Sequence, residues 1–236
     1  MESIVVVFLL ALIALIFIYI YYDHFKKEKK VKDPTVYIDA LKALLDGYDD
    51  LAFSKFREVV AEDSSNVDAY VRIGDILRRY GKPDKALQVH KDLTIRHGLT
   101  NDEKKLILKS LSDDFINSKD IASAKAALKE LLSLDGNNRW ALEKFLDIYS
   151  QTGEWEEAFE VKEKLIKQDD SKSKSGLAIY KFLHGEKHFN EKEYHKARVH
   201  FKEAISIDPR CVPAYLYIGD SYLAENREED ERGVRT

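Results

Sequence analysis

Apolar and small residues recur with the period of an amphipathic helix between Val67 and Leu93, VDAYVRIGDILRRYGKPDKALQVHKDL. These periodic positions are Tyr70, Ile73, Gly74, Leu77, Ala86, His90 and Leu93. Gly81 and Pro83 interrupt the pattern, which therefore predicts two helices joined by a tight turn. Pro83 suits a first helical position, because the N–H that it lacks would have no partner there. The stretch is predicted to form a helical hairpin, with the small residues Gly74 and Ala86 where the helices pack closely.

The same hairpin pattern recurs along the chain. The small residue that opens each second helix lies at Ala52, Ala86, Ala124, Ala158 and Ala197, with separations of 34, 38, 34 and 39 residues. The matching positions of the first helices are Ala40, Gly74, Ser112, Leu146, Gly185 and Gly219. The two longer separations exceed 34 by four and five residues. These residues fall around 96–101 and 169–176, in predicted loops, where added length costs little free energy. The pattern predicts five complete hairpins and the first helix of a sixth.

The 34-residue period and the small residue in each helix resemble the tetratricopeptide repeat. The resemblance implies an all-α fold with about five and a half hairpins, stacked into a right-handed superhelix over residues 34–224. The sixth first helix is predicted from Val212 to Ala224. Residues 225–236 are mostly charged and are predicted to be a disordered tail. Either the half repeat caps the array on its own, or it belongs to a longer chain, which is the interpretation we favour.

The N-terminal stretch from Ile4 to Tyr22 is an unbroken apolar and aromatic run of 19 residues. As a helix rising ~1.5 Å per residue it is about 28 Å long, which is enough to cross a bilayer. It lacks the basic start and the small-residue cleavage site of a signal peptide. The linker 23–33 carries five lysines: Lys26, Lys27, Lys29, Lys30 and Lys32. By the positive-inside rule, this pattern predicts a single transmembrane helix at 1–22 and a cytoplasmic repeat array.

The linker lysines also have a second interpretation, since basic residues next to a membrane attract anionic lipid headgroups. Acidic residues lie among them at Asp23, Glu28 and Asp33. We therefore interpret the lysines as a topology signal rather than as a site for a specific lipid.

The net charge bears on the class of partner, and the cysteine content bears on disulfide formation. The formal net charge of -4 provides no general basic surface, so no nucleic-acid partner is predicted. The single cysteine, Cys211, excludes a disulfide within the chain. Neither property fixes the oligomeric state, and a homo-oligomer is compatible with both.

Residue patterns typical of catalysis or metal binding are scarce. His184 and His188 are four residues apart on a predicted helix, which places two imidazoles on one face. The residues between them are Gly-Glu-Lys rather than those of an HExxH motif, so we interpret both as packing residues. His195 and His200 are five apart, a poor spacing for one helical face. The sequence also lacks a phosphate-binding glycine loop and a GxSxG motif. We predict a protein that is not an enzyme and has neither cofactor nor metal.

Three stretches carry a more specific resemblance: YIDALKALLDGYDDLAFSKF at 37–56, IGDILRRYGKPDKALQVHKDLTIRHGLT at 73–100 and DPRCVPA at 208–214. Together with the apolar run and the basic linker, they resemble the lipopolysaccharide assembly protein B family of bacterial inner-membrane proteins. Members of that family end in a rubredoxin-like zinc ribbon with two CxxC pairs. That module is absent here, so no metal site carries over from the resemblance.

The resemblance implies a cytoplasmic adaptor, anchored in the inner membrane, that regulates lipopolysaccharide synthesis. Proteins of this family promote proteolysis of the lipid A pathway deacetylase by a membrane AAA protease. Those two proteins are therefore the expected partners. The alternative is a generic membrane-tethered tetratricopeptide scaffold for another envelope or secretion complex.

In tetratricopeptide arrays, outward-facing positions of the first helices line the concave wall on which partners bind. The equivalent positions here are Val71, Asp75 and Arg78 in the second repeat, Lys109 and Asp113 in the third, and Glu143 and Asp147 in the fourth. We expect some of these residues to form the docking surface.

Overall fold

The computed structural model describes residues 13–19, 21, 34–169 and 174–233, with side chains up to Glu225, and the regular structure of these residues is helical. A 3₁₀ turn, Lys174–Leu177, precedes α9. The helices after residue 33 are α1 Pro34–Leu45, α2 Asp49–Glu62, α3 Val67–Arg79, α4 Pro83–Thr94, α5 Asn101–Asn117, α6 Ile121–Leu134, α7 Arg139–Thr152, α8 Trp155–Lys167, α9 Ala178–Asn190, α10 Tyr194–Ile207 and α11 Val212–Gly233. The chain divides into two compact units, up to Ile76 and from Leu77 onward.

The first unit is built on the hairpin of α1 and α2. Ala40 of α1 and Ala52 and Phe56 of α2 are fully buried. The Tyr37 hydroxyl donates a hydrogen bond of 2.5 Å to Asp68 at the start of α3. Burial, followed by this hydrogen bond, raises the pKa of Tyr37 to about 12. The contact ties the beginning of α3 to the first hairpin.

The second unit contains the hairpins α5/α6, α7/α8 and α9/α10. One apolar core joins the first two of these hairpins and includes Leu128, Leu142 and Phe145. Another core lies in the fifth repeat, where Phe182 and Phe201 pack together and reach Ala214 of α11. Apolar side chains at helical spacing thus bury one face of each helix, as the sequence pattern predicts.

The small residues at the helix crossings have the predicted environment. The five alanines that open the second helices have no exposed surface: Ala52, Ala86, Ala124, Ala158 and Ala197. On the first helices, Ala40 and Ser112 are also fully buried. A Cβ atom added to Gly185 would lie 2.7 Å from the Phe201 ring and 3.0 Å from the Ala197 carbonyl oxygen. At Gly219 an added Cβ would meet nothing within 4 Å. The crossing leaves no room for a side chain in the complete fifth hairpin, whereas the sixth first helix has free space there.

Local capping signals fix several helix ends. Thr100 and Glu103 form a capping box at the start of α5, in which each side chain bonds to the other residue's backbone N–H. Asn138 caps α7, which ends at Gly153 in the left-handed conformation with φ 71°. These contacts fix the start of α5 and both ends of α7.

The predicted anchor lies mostly outside the described residues. Residues 13–19 and 21 are helical and exposed, while the rest of the run from Ile4 to Tyr22 and the linker 23–33 are not described. No helix in the described part of the chain combines the length and apolar character needed to cross a bilayer. The structure therefore does not show the transmembrane helix that the sequence predicts.

The C-terminal helix is longer than expected. It continues to Gly233, so residues 225–233 are helical where a disordered tail was predicted. Glutamate and arginine, which dominate this segment, are good helix formers. Glu225 also accepts two hydrogen bonds from the Arg198 guanidinium, at 2.8 and 3.0 Å, which fixes α11 against α10. As expected for a half repeat, Tyr215, Leu216 and Leu223 on α11 remain exposed.

The crossing of α9 and α10 gives a matched pair of substitutions. We expect Gly185→Ala to lower the free energy of unfolding by about 1–2 kcal/mol, because the added methyl group overpacks the contact with Phe201. Gly219→Ala, at the equivalent position of α11, should raise it by about 0.5–1 kcal/mol through helix propensity alone. Thermal unfolding of the full chain, followed by circular dichroism, measures both. Equal effects of the two substitutions would contradict the close crossing.

Candidate partner-binding face

The seven predicted docking residues differ in accessibility. Lys109, Glu143 and Asp147 are exposed, while Asp75, Arg78 and Asp113 are partly buried. Val71 is fully buried, so its predicted outward-facing position is wrong. It follows the buried Val67 by four residues, which places both side chains on the same face of α3.

Lys109 and Asp113 of α5 lie beside side chains from the N-terminal half of α7. The Lys109 ammonium is 4.9 Å from the centre of the Trp140 ring, and the Lys144 ammonium is 5.3 Å from it. Both distances are typical of cation–π pairs. Lys144 also pairs with Asp113, with 3.1 Å between Nζ and Oδ1. These contacts join the first helices of the third and fourth repeats into one partly exposed surface.

The same surface continues toward α9 through Asp147. Burial raises the pKa of Tyr180 on α9, and the negative charge of Asp147 raises it further, which indicates that the two residues lie near each other. We use the name first-helix face for Lys109, Asp113, Trp140, Lys144 and Asp147. Glu143 is also exposed and pairs with Arg139 within α7, at 2.8 Å.

Sequence reasoning did not assign Trp140 and Lys144 to the docking surface. A signal was present, because these residues are four apart in α7 and Lys144 is three residues before Asp147, spacings that place side chains on one helical face.

Arg78 has a structural role inside the second unit. Its Nη1 donates hydrogen bonds to Asp114 Oδ1, at 2.6 Å, and to the Ser110 carbonyl oxygen, at 3.1 Å. The other Asp114 oxygen lies 2.5 Å from His90 Nδ1. Asp114 and His90 are 1% and 0% exposed. A buried carboxylate needs such partners, because removing it from water is costly. The predicted docking residue Arg78 therefore compensates a buried charge.

The histidines of the fifth repeat occupy partly buried positions. His184 and His188 on α9, interpreted from the sequence as packing residues, lie beside His200 on α10. Burial and then the neighbouring His200 lower the pKa of His184. Glu156 of α8 contacts both His184 and Lys181. Burial raises the pKa of the Glu156 carboxyl, but the contacts with Lys181 and His184 together lower it more, so that the pKa lies below its usual range. His195 of α10, by contrast, is exposed.

A groove of about 590 Å³ lies within the third repeat. Its walls include Leu99 in the loop before α5, Ile107 and Phe115 of α5, and Ala126 of α6. The loop belongs to the region where sequence comparison of the repeats places additional residues. None of the residues that line the groove belongs to the first-helix face, so the two surfaces are distinct.

Stacked helical hairpins with a small residue buried at each crossing define a tetratricopeptide-repeat fold. Among solved structures, the chain is similar to YrrB, described as a tetratricopeptide-repeat protein with an unusual peptide-binding site. The two share 17% identity and a TM-score of 0.51, over 83% of this chain and 95% of that one. This likeness confirms the predicted repeat fold.

The chain is similar in sequence to curated bacterial proteins named lipopolysaccharide assembly protein B. The chain is 24% identical over 189 residues to lipopolysaccharide assembly protein B of Escherichia coli (strain K12), covering 80% of this chain and 49% of the relative. It is 25% identical over 199 residues to the protein of the same name from Haemophilus influenzae, covering 81% and 50%. No family model matches the sequence. The chain thus spans about half the length of these curated relatives, and the predicted resemblance to lipopolysaccharide assembly protein B is confirmed.

The buried carboxylate leads to a prediction about stability. We expect Asp114→Ala to lower the free energy of unfolding by about 2–4 kcal/mol, because it leaves Arg78 and the buried His90 without their shared carboxylate. The control is Asp113→Ala at the adjacent position, which removes only the partly exposed pair with Lys144 and should cost less than about 1 kcal/mol. Denaturant unfolding of the full chain measures both, and a loss at Asp114 no larger than at Asp113 would refute the role given to this network.

Proposed function

We propose that this chain is a cytoplasmic adaptor, anchored in the bacterial inner membrane, that regulates lipopolysaccharide synthesis. In this proposal it promotes proteolysis of the lipid A pathway deacetylase by a membrane AAA protease. The observation that carries the proposal is the similarity to lipopolysaccharide assembly protein B over four-fifths of the chain, combined with a fold that presents extended surfaces to protein partners. The proteolytic role, the two partners and the membrane location all belong to the proposal.

The first-helix face supports a protein partner. The ammonium groups of two lysines, Lys109 and Lys144, lie over the Trp140 ring. Tryptophan is enriched among the residues that dominate binding energy at protein interfaces. Lys109 and Asp147 bring opposite charges to the same surface, which favours a partner with a complementary charge pattern. The adaptor would dock its client or the protease through these residues.

A membrane tether supports the same function. The run from Ile4 to Tyr22 is long enough for one span, and the lysines after it favour a cytoplasmic repeat array. Holding the array at the membrane raises its effective concentration near a protease that is itself in the membrane. Two weak contacts, one to the protease and one to the client, would then suffice for delivery.

Crosslinking tests which partners are bound. The full chain is expressed in a lipopolysaccharide-producing bacterium, crosslinked in intact membranes, captured and analysed by mass spectrometry. We expect to recover the membrane AAA protease or the lipid A pathway deacetylase. Recovery of a different envelope or secretion complex instead would favour the scaffold alternative, since the fold alone does not identify a client.

Charge reversal tests the docking surface. We expect Lys109→Glu, Glu143→Lys and Asp147→Lys together to reduce capture of the partner at least about tenfold, the equivalent of ~1.4 kcal/mol of binding free energy. The control set is Lys129→Glu, Glu157→Lys and Glu160→Lys, three exposed residues of the second helices α6 and α8. Both sets change the net charge equally. Capture that is lost with the control set, or kept with the first set, would remove this surface from consideration.

Deletion of residues 1–33 tests the anchor. The full chain should stay in the membrane fraction after extraction with alkaline carbonate, whereas the deletion variant should be released, because it has lost its apolar run. A variant with residues 4–22 in scrambled order keeps the composition and should remain membrane-bound.

A cytoplasmic reporter fused after Thr236 should be active, and an inactive fusion to a folded chain would contradict the proposed orientation.

A further inference from the structure

Three histidines from two helices meet in the fifth repeat. His184 and His188 are one turn apart on α9, and His200 comes from α10. The ring centres are 5.0 Å apart for His184 and His188, 4.0 Å for His184 and His200, and 5.3 Å for His188 and His200. One ring nitrogen from each histidine lies within 4.8 Å of the others. The hairpin thus gathers three imidazole nitrogens into a small volume.

Each of these histidines has a carboxylate at its Nδ1 atom. The Nδ1 to Oε2 distance is 3.3 Å from His184 to Glu156, 2.7 Å from His188 to Glu193 and 3.3 Å from His200 to Glu203. A histidine that donates its Nδ1 proton to a carboxylate keeps Nε2 free of a proton and directs its lone pair outward. Metal-binding histidines have this arrangement, in which the carboxylate fixes the ring and increases its basicity.

The carboxylates are themselves held in place. The Lys181 ammonium lies 2.9 Å from both oxygens of Glu156 and 3.2 Å from Glu203. Lys181 is only 12% exposed, so this contact is partly shielded from water. Glu156 belongs to α8, which means that the network joins the fourth repeat to the fifth. The ligands are therefore supported by a second layer of polar contacts, as a preorganised site requires.

The charge around the histidines suits a cation. Glu156, Glu191, Glu193 and Glu203 all contact a histidine nitrogen of this group, at 2.7–3.7 Å. The ammonium groups paired with these carboxylates are those of Lys181 and Lys196. The carboxylates around the three imidazoles favour a positive charge at this place, which a divalent cation would supply.

We propose that His184, His188 and His200 bind a divalent transition-metal ion of the zinc class. Imidazole nitrogen suits Zn²⁺, Co²⁺, Ni²⁺ and Cu²⁺, whereas Mg²⁺ and Ca²⁺ prefer oxygen ligands. In a tetrahedral zinc site with Zn–N bonds of about 2.0–2.1 Å, nitrogens lie about 3.4 Å apart. The three rings are stacked in this structure, with interplanar angles of 6° to 28°, so the side chains must rotate to direct one nitrogen each at a common ion. Three protein ligands leave the fourth position to water or to a ligand from a partner. Bound metal would fix α9 to α10.

Metal titration of the full chain tests this site. The protein is purified in detergent with an affinity tag that contains no histidine, and metal is removed with a chelator. We expect one equivalent of Zn²⁺ to bind in isothermal titration calorimetry, and Co²⁺ to produce the visible absorption of nitrogen coordination. Zn²⁺ should also raise the midpoint of thermal unfolding, and the chelator should reverse this rise.

Two histidines of α10 provide the matched comparison. His200→Ala should reduce Zn²⁺ affinity at least about tenfold and abolish the thermal shift, whereas His195→Ala, which changes an exposed histidine of the same helix, should leave both unchanged. Glu193→Gln keeps all three ligands and should reduce affinity about 10–100-fold, because it removes the partner of His188 Nδ1. His188→Gln replaces His200→Ala if the latter does not fold by circular dichroism.

Three results would overturn the proposal. The first is the absence of Zn²⁺ binding by the folded, unsubstituted chain, which would leave the histidines as packing residues. The second is an equal loss of affinity in the His195 and His200 variants, which would indicate nonspecific binding. The third is a Co²⁺–thiolate charge-transfer band, which would place the metal at Cys211 instead.

Discussion

The size of one side chain at each helix crossing is the constraint on which this structure depends. The alanines at 52, 86, 124, 158 and 197 have no exposed surface, and at Gly185 even a methyl group would lie 2.7 Å from Phe201. Close approach of the two helices lets the larger apolar residues on either side pack against each other. The constraint is weaker on the first helices, since the fourth repeat has the partly buried Leu146 at this position.

The helices themselves were predictable because their signals are local. Thr100 with Glu103, Asn138 and Gly153 each mark a helix end within a few residues of sequence, and the positions of the small residues set the register of the hairpins. The extension of α11 to Gly233 was not predicted, because the loss of the apolar pattern after Ala224 was interpreted as loss of structure. A charged segment of good helix formers can continue a helix that is already nucleated.

The candidate site was less predictable, because it depends on contacts between repeats. Counting helical positions placed Val71 and Arg78 on the outside, but Val71 is fully buried and Arg78 bonds to Asp114, 36 residues later in the chain. The proximity of His200 to His184 could not be predicted from the sequence either, since no helical period connects residues on the two different helices of a hairpin. By contrast, Lys109, Glu143 and Asp147 are exposed, as expected from the same counting.

The network of Arg78, His90 and Asp114 also affects how the array comes apart. Arg78 and His90 belong to the second repeat and Asp114 to the third. Opening either hairpin alone would therefore expose one member of the network to water and leave another buried without its partner. In a linear array, stability is the sum of terms within each repeat and terms between neighbours. A buried polar link of this kind enlarges the neighbour term and makes partial unfolding between these two repeats costly. The second and third repeats should therefore open as one cooperative block, so that backbone amides of α4 and α5 exchange their hydrogens together.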